Sequence, residues 1–203
     1  MEIKQIDDRI SYILPNRDPC SSNVVMLEGD EYLWLYDAGR DPAIIDYING
    51  IDKKKNIIIS HFHGDHTENL PQLHMSRILQ SKYTFEHTGM GEIIRDVTEV
   101  SDGIKFTILP FPAVHAKGCL ALDIEGKYLL VGDATYPKKC ETHRYYVISM
   151  FKQQIDFLKD YPCEYILISH HEPYVQTKEN ILGKLENIYN RRIPGELYVN
   201  VPL

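Results

Sequence analysis

The stretch "NIIISHFHGDH", residues 56–66, limits what this chain can fold into more than any other feature of the sequence. Its three consecutive isoleucines are too apolar for a strand with one face in water, so they predict a strand buried on both faces. Strands of that kind occur mainly in parallel sheets covered by helices. Three histidines and an aspartate follow at once, so we predict an α/β protein with polar side chains gathered at a strand end.

Two halves of the chain repeat the same order of elements. In the first half a strand ends at Asp37, a helix follows, and the buried strand leads to His61. In the second half a strand ends at Asp133, a helix follows, and "ILIS" leads to His170. Because ligands gather beyond the carboxyl ends of strands in α/β proteins, we expect these four strand ends to converge on one edge.

Local signals predict several further elements. Residues 23–39 contain two apolar runs around a Gly-Asp turn and predict a hairpin. "DPAIIDYING" predicts a short helix with Asp41 as N-cap, Pro42 in its first turn and Gly50 past its end. Apolar residues at helical spacing predict two longer helices, in "YYVISMFKQQIDFLKDY" and "TKENILGKLENIYNRR".

Composition points to one globular unit. The chain has 203 residues, of which 43% are apolar and 25% charged, and no linker or low-complexity tract interrupts it. We therefore expect a single domain over residues 1–203. The net charge is −7, and the only basic run, "DKKKN" at residues 52–56, is expected to be a solvated turn. This balance argues against nucleic acid as a partner.

The N-terminus, the apolar runs and the cysteines indicate where in the cell the protein works. The N-terminus lacks a secretory signal pattern, and no apolar run approaches the ~18 residues that a membrane helix requires. The cysteines lack CxxC spacing, which disfavours a thiolate zinc site and a disulfide framework. We expect a soluble cytoplasmic protein with free thiols and no membrane partner, and the sequence leaves its oligomeric state open. The cysteines are Cys20, Cys119, Cys140 and Cys163.

The histidine cluster has the spacing of a metal site. Residues two apart in an extended segment point the same way, so His61 and His63 can reach one ion. Gly64 allows a sharp turn, after which Asp65 and His66 can be aimed at a second ion. Four donors do not complete two sites. The further donors that we expect follow predicted strands, and they are His115, Asp133 and His170.

At this point the chain resembles a known family. "HFHGDH" matches the HxHxDH signature of the metallo-β-lactamase superfamily, and four more of its motifs occur in the family's order. They are Asp37 in "YDAG", His115 in "VHAKG", Asp133 in "VGDA" and His170 in "LISHHEP". The resemblance extends from about residue 20 to residue 173. It implies a four-layered αββα sandwich with mixed sheets and a two-metal site between them.

The resemblance also implies a role for each donor. His61, His63 and His115 would hold the first metal, while Asp65, His66 and His170 would hold the second. Asp133 would bridge the two ions, and Asp37 would support a ligand from behind. His171 stands where the family motif has glycine, so either His170 or His171 can be the ligand. Histidine and carboxylate donors without thiolate suit two Zn²⁺ ions, with Mn²⁺ or iron also compatible.

Such a site suits hydrolysis. Paired metals lower the pKa of a shared water, and Asp65 could orient the resulting metal-bridged hydroxide. The chain lacks room for the extra domains of several larger family branches, so we predict a hydrolase acting on a small-molecule ester, thioester or lactone. Tyr136 in "DATY" resembles the tyrosine of the acyl-homoserine lactonase branch and could donate to an oxyanion. The alternatives are a mononuclear iron oxidoreductase like persulfide dioxygenase, and a non-catalytic metal-binding or sensor relative.

Overall fold

The computed structural model describes residues 1–202, in which two large sheets carry most of the strands. In chain order the strands are β1 (Ile3–Asp7), β2 (Ile10–Ile13), β3 (Asn16–Arg17), β4 (Cys20–Ser21), β5 (Val24–Glu28), β6 (Tyr32–Tyr36), β7 (Lys54–Ile58), β8 (Arg77–Gln80), β9 (Glu92–Ile93), β10 (Thr98–Ser101), β11 (Lys105–Pro110), β12 (Leu120–Ile124), β13 (Tyr128–Leu130), β14 (Lys138–Lys139), β15 (Arg144–Val147), β16 (Tyr165–Leu167), β17 (Val175–Thr177) and β18 (Tyr198–Val201). The helices are α1 (Ala43–Gly50), α2 (Gly64–Thr67), α3 (Lys82–Thr88), α4 (Ile148–Asp160) and α5 (Lys178–Tyr189), with a 3₁₀ turn at Leu70–Gln72.

Both large sheets are mixed. The first has seven strands in the order β1-β2-β5-β6-β7-β8-β9, and the second has six in the order β10-β11-β12-β13-β16-β17. Parallel pairing joins β6 to β7 and β13 to β16, while the β5-β6 and β12-β13 pairs are antiparallel. The two parallel pairs, each spanned by a helix, confirm the repeat of elements that the sequence predicts. Smaller sheets, β14-β15-β18 and β3-β4, hold the other described strands.

Three layers of apolar side chains separate four layers of backbone. The central layer lies between the sheets and includes Trp34 and Phe106, whose ring centroids are 5.0 Å apart. On the outer face of the first sheet, Ile44 and Ile48 of α1 are fully buried. On the outer face of the second sheet, α4 and α5 pack through side chains such as Phe151. The predicted four-layered αββα sandwich with mixed sheets is confirmed.

The predicted hairpin and the first helix are present, with small shifts. β5 and β6 pair antiparallel around the Gly-Asp turn. In α1, Pro42 occupies the N-cap position, whereas the sequence predicts it at the first helical position. Gly50 is the last helical residue, whereas the sequence predicts it just past the end. The Asp41 carboxylate still accepts a hydrogen bond from the Ala43 amide at 3.0 Å, so its capping role survives the shift.

Two predictions needed correction, the start of one helix and the nature of the charged run. The helix expected from residue 145 begins at Ile148, because Tyr145–Val147 belong to β15 and pair with β18. Helical spacing could not reveal this, since the pairing partner lies some fifty residues away. The charged run was also misjudged. Lys55 is buried within β7, and its ammonium donates to the carbonyls of Ile51 and Lys53, so the segment is not a solvated turn.

Two further findings concern the helices and the cysteines. None of the helices among residues 1–202 is long and apolar enough to cross a membrane. All four cysteines are free thiols, and Cys119 is buried while Cys20 is exposed.

The Asp102 carboxylate, in the turn between β10 and β11, links the two large sheets through hydrogen bonds. Its carboxylate accepts from the amides of Glu31 and Tyr32 at 2.8 and 3.0 Å, and from the indole N–H of Trp34 at 2.9 Å. Asp102 lies between β10 and β11, whereas its donors lie at the start of β6. One carboxylate therefore satisfies three donors across the sheet interface.

We expect Asp102→Ala to lower the free energy of unfolding by about 1–3 kcal/mol, because it leaves the partly buried donors of Tyr32 and Trp34 without an acceptor. Urea denaturation monitored by circular dichroism measures this change. Asp96→Ala is the matched control, since Asp96 is exposed. Equal stability of the two variants would show that water replaces the carboxylate at no cost.

Candidate metal centre

The predicted ligands lie where strands of both sheets end. His61 and His63 follow β7, and the one-turn helix α2 carries Asp65 and His66. His115 lies in the loop between β11 and β12. The other two follow the parallel strands of the second sheet, Asp133 after β13 and His170 after β16. The convergence expected from the sequence therefore arises from strand ends of two facing sheets.

The side chains form two groups. Within each group, potential ligand atoms lie within 4.8 Å of one another. The first contains three histidines and the second contains two histidines and two aspartates. The first group is His61, His63 and His115, and the second is Asp65, His66, Asp133 and His170.

In the first group, imidazole nitrogens face one another. His63 Nδ1 and His115 Nε2 are 3.0 Å apart. His61 Nδ1 lies 3.0 Å from the Ser60 hydroxyl, while its Nε2 is buried with no hydrogen-bond partner among the described residues. Ser60 thus engages the far side of the His61 ring and leaves Nε2 as the nitrogen available to a metal.

In the second group, carboxylates alternate with imidazoles. Asp65 Oδ2 lies 3.0 Å from His170 Nε2 and 3.6 Å from His66 Nε2. Asp133 Oδ1 lies 3.4 Å from His66 Nε2 and 3.9 Å from His170 Nε2. These contacts bring two oxygens and two nitrogens to one point.

Asp133 also reaches the first group. While its Oδ1 faces His66 and His170, its Oδ2 lies 3.8 Å from His115 Nε2. Its side chain is buried. This is the geometry that a bridging ligand requires.

Asp37 lies beneath the site, where it contacts the predicted ligand His66 and the neighbouring Ser60. Its Oδ2 is 2.7 Å from His66 Nδ1 and 2.8 Å from the Ser60 hydroxyl, which donates to it. Its Oδ1 accepts the Ser60 amide at 2.7 Å. Since Asp37 accepts from Nδ1, the His66 Nε2 atom is left for a metal, and that atom is buried without a partner in the described structure.

Burial and charge give the two groups different proton affinities. Burial lowers the pKa of His61 well below its usual value, and it also lowers the pKa of His63 and His115. Burial acts on His66 in the same direction, but the carboxylates of Asp37 and Asp133 outweigh it and hold the pKa of His66 well above 6.5. The first group is therefore neutral at pH 7, and the second retains a proton in the absence of metal.

The structure places His170, and not His171, in the second group. The His171 ring turns away, where its Nδ1 lies 2.6 Å from the Gln176 side-chain amide. His170 has φ +61°, a left-handed conformation that suits glycine better than other residues. Its amide donates to Asn23 Oδ1 at 3.0 Å. The ligand assignment itself stays a prediction.

Tyr136 lies beside the centre. Its ring centroid is 6.3 Å from that of His115 and 6.4 Å from that of His171. The hydroxyl donates to the carbonyl of Ser169 at 2.9 Å, and burial raises the pKa of the phenol, so it is neutral at pH 7. Its expected role as an oxyanion donor stays a prediction, because that hydrogen is engaged by the Ser169 carbonyl here.

The donor set fits divalent metals. Buried polar atoms without partners are rare in native proteins, yet this site has four among the described residues. Three of them carry a lone pair free to bind a metal in the predicted scheme, and a neutral histidine or an aspartate is the usual source of such an atom. The three metal-binding candidates are His61 Nε2, His66 Nε2 and Asp133 Oδ1. The fourth buried atom without a partner is His115 Nδ1.

Two supporting residues escaped the sequence analysis. Ser60 contacts both Asp37 and His61, and the Ser-His pair recurs at Ser169, a repeat that could have drawn attention to it. Asn23 contacts His170 across 147 positions of sequence, and no local pattern distinguishes it from other polar residues at strand starts. His87, which is in neither group, stacks on Phe62 with ring centroids 4.1 Å apart.

Comparison with known proteins agrees with the fold and the motifs. The family model of the metallo-beta-lactamase superfamily matches residues 17–171, so this chain belongs to that superfamily. The resemblance inferred from the five motifs is thereby confirmed. No curated protein is similar enough in sequence to count as a relative.

Solved structures extend the comparison to the whole fold. A metallo-beta-lactamase from Pontibacter korlensis has a TM-score of 0.67 at 16% identity, over 92% of this chain and 99% of its own. A stereoselective inverting sec-alkylsulfatase from Pseudomonas sp. has a TM-score of 0.68 at 13% identity, over 93% of this chain and 41% of its own. At such identities the likeness establishes the fold alone.

A flavo di-iron protein variant from Thermotoga maritima is also similar, with a TM-score of 0.63 at 15% identity. The match covers 89% of this chain and 52% of that protein, so the chain spans about half its length. Membership of the superfamily implies a divalent metal site, and these relatives differ in chemistry. The metal and the reaction are therefore questions for the site itself.

The two groups should respond differently to pH. A metal that binds His66 must displace the proton that its raised pKa retains, whereas the first group is already neutral. We expect the affinity for the second metal to fall as the pH is lowered, by at most about tenfold per pH unit for one displaced proton, and the first to change much less. Calorimetric zinc titration of metal-free protein measures both. Parallel pH dependence of the two affinities would contradict this assignment of protons.

Proposed function

We propose that this protein is a binuclear metal-dependent hydrolase, with zinc as the preferred metal, that cleaves a small ester, thioester or lactone. The observation that carries the proposal is the position of Asp133. One of its oxygens faces the three-histidine group and the other faces the second group. A carboxylate shared in this way supports two ions held close together, the arrangement on which two-metal hydrolysis depends.

Bound metals would supply an acidified water and would polarise the scissile carbonyl, and the protein would supply the rest. Burial alone would raise the pKa of Asp65, but the hydrogen bond from His170 and the charge of His66 lower it to about 2. Asp65 is thus ionised at neutral pH. It is suited to orienting the attacking water through a hydrogen bond, and less suited to storing a proton.

Asp37 supports the same proposal from behind His66. Because it accepts from His66 Nδ1, it fixes the tautomer that presents Nε2 to a metal. Ser60 links this carboxylate to His61, so one buried acid orients a donor in each group. Loss of Asp37 should therefore weaken both groups without removing any ligand.

A small cavity next to the ligand segment supports the choice of a small acyl group, although none of the seven predicted ligands lines it. It has a volume of about 200 Å³, and apolar and polar residues contribute equally to its wall, among them Phe62 from within the ligand segment and Thr67 directly after it. The cavity is too small for most drug-sized ligands, whose pockets span roughly 300–1,000 Å³. Its other lining residues are Glu68, Leu70, Pro71, His87, Thr88 and Met90.

The mononuclear iron alternative fits these side chains less well. One iron held by two histidines and an aspartate would leave four of the seven predicted ligands without a metal. The Thermotoga relative is named as a di-iron protein, so iron itself is a reasonable competitor for the binuclear site. Metal stoichiometry separates these possibilities better than metal identity does.

We expect about two metal ions per chain, mainly zinc, in protein purified without chelators, because seven donors are available for two sites. Elemental analysis measures the content, and a screen of esters, thioesters and lactones measures activity. Chelation should abolish turnover, and zinc should restore it. A fully loaded protein with one iron and measurable oxygen consumption would contradict the hydrolase proposal.

We expect His63→Ala and Asp133→Ala each to abolish nearly all turnover while cooperative unfolding persists. Both side chains serve the metals, and the three apolar layers are built from other residues. Activity assays and thermal melts test the two halves of this expectation. If both variants lost cooperative unfolding, the metals would be structural.

We expect Tyr136→Phe to lower turnover roughly 10- to 1000-fold with metal content unchanged, the range for one lost oxyanion donor. The phenol hydrogen can rotate from the Ser169 carbonyl towards a substrate oxygen, whereas phenylalanine has nothing to donate. Steady-state kinetics per bound zinc makes the measurement. An unchanged rate per zinc would limit Tyr136 to bracing Ser169 and would remove the argument for lactones.

A further inference from the structure

The segment Ser22–Asn23, at the junction of β4 and β5, contacts the backbone of two proposed ligands at once. The Ser22 amide donates to the carbonyl of Asp65 at 2.9 Å. The side-chain oxygen of Asn23 accepts from the amide of His170 at 3.0 Å. Asp65 and His170 are themselves joined through their side chains at 3.0 Å. Neither Ser22 nor Asn23 was expected in the site, and both are buried.

His170 needs such support because of its backbone conformation. A non-glycine residue at φ +61° is strained, because its Cβ crowds the following carbonyl oxygen. The left-handed conformation points the His170 ring towards Asp65 and Asp133. His170 lies past the end of β16, so its amide is outside the hydrogen bonding of the sheet. The amide donates instead to the side-chain oxygen of Asn23.

The orientation of the Asn23 amide follows from its partner. Only the carbonyl oxygen can accept from a backbone N–H, so the side-chain nitrogen faces the other way. That nitrogen is buried and has no hydrogen-bond partner within residues 1–202. The useful atom of Asn23 is therefore its oxygen. An aspartate would keep that oxygen, and a leucine of similar shape would lose it.

We propose that Asn23 is a positioning residue for the second metal: by accepting the His170 amide it holds that ligand in its left-handed conformation and so sets the affinity of the second site. This inference rests on the two-metal centre of the proposed function. It does not depend on which reaction the centre catalyses. Among residues 1–202, Asn23 makes no hydrogen bond to a residue of the first group, so we expect its effect on the second ion alone.

Stepwise zinc binding to metal-free protein tests the proposal with two substitutions of similar shape. Asn23→Leu should weaken the second zinc roughly 10- to 100-fold, the usual cost of losing a residue that orients a metal ligand. The first zinc should change by less than about threefold. Asn23→Asp should retain the second affinity, because it keeps the acceptor. Asn56→Leu is the control for loss of a buried asparagine, since Asn56 lies within β7.

Hydrogen exchange of the metal-free variants provides a second readout. The His170 amide should exchange faster in Asn23→Leu than in Asn23→Asp, while the amides of β16 keep their protection. If Asn23→Leu fails to unfold cooperatively, Asn23→Ala replaces it with the same expectations. Equal weakening of both zincs, no weakening, or failure of Asn23→Asp to restore the second affinity would each overturn the proposal.

The outcome is separable from that of the proposed function. Two zincs bound without hydrolysis of any substrate would contradict the hydrolase and leave the role of Asn23 intact. Normal hydrolysis with an unaltered second zinc in Asn23→Leu would do the reverse. A wild-type protein that binds only one zinc would overturn both.

Discussion

The site depends on one buried carboxylate, that of Asp37, which has no exposure to solvent. A charge in such a place is very costly unless it is hydrogen-bonded and paired. Asp37 meets this condition with a backbone amide, a hydroxyl and an imidazole, supplied by Ser60 and His66. Each of these donors lies at the end of β7 or in the helix that follows. The need to satisfy Asp37 therefore fixes the path of the ligand-bearing segment relative to β6.

The two halves of the chain use the same geometry for different purposes. In each, a parallel strand pair ends with an aspartate on one strand and a Ser-His pair on the other. Asp37 is directed beneath the ligands and orients His66, whereas Asp133 lies between the two groups and contacts both. The two aspartates also differ in burial, since Asp37 is fully buried and Asp133 keeps a small exposed fraction. One aspartate can then support the ligands while the other joins them.

Much of this could be predicted because the decisive signals are local. The isoleucine run indicates a buried strand, and alternate positions after it place His61 and His63 on one side, whatever the rest of the chain does. The missing parts depend on distant partners. β15 is a strand because β18 pairs with it, and Lys55 is buried because the end of α1 offers it carbonyls. Asn23 belongs to the same class, since its role exists only when β16 brings His170 to it.

Backbone strain shows why the supporting hydrogen bonds matter as much as the donors. Apart from Glu125 in a turn, the non-glycine residues with positive φ among residues 1–202 are Asp37 and His170, one at the strand end of each half. Both conformations cost energy and persist only where their surroundings favour them. The Asp37 amide is engaged by the carbonyl of Ile58 and the His170 amide by the side chain of Asn23. The first acceptor belongs to the backbone and survives any substitution, but the second is a side chain. The strained backbone of His170 in the second group is therefore the one whose support a single mutation, distant in sequence from every ligand, can remove.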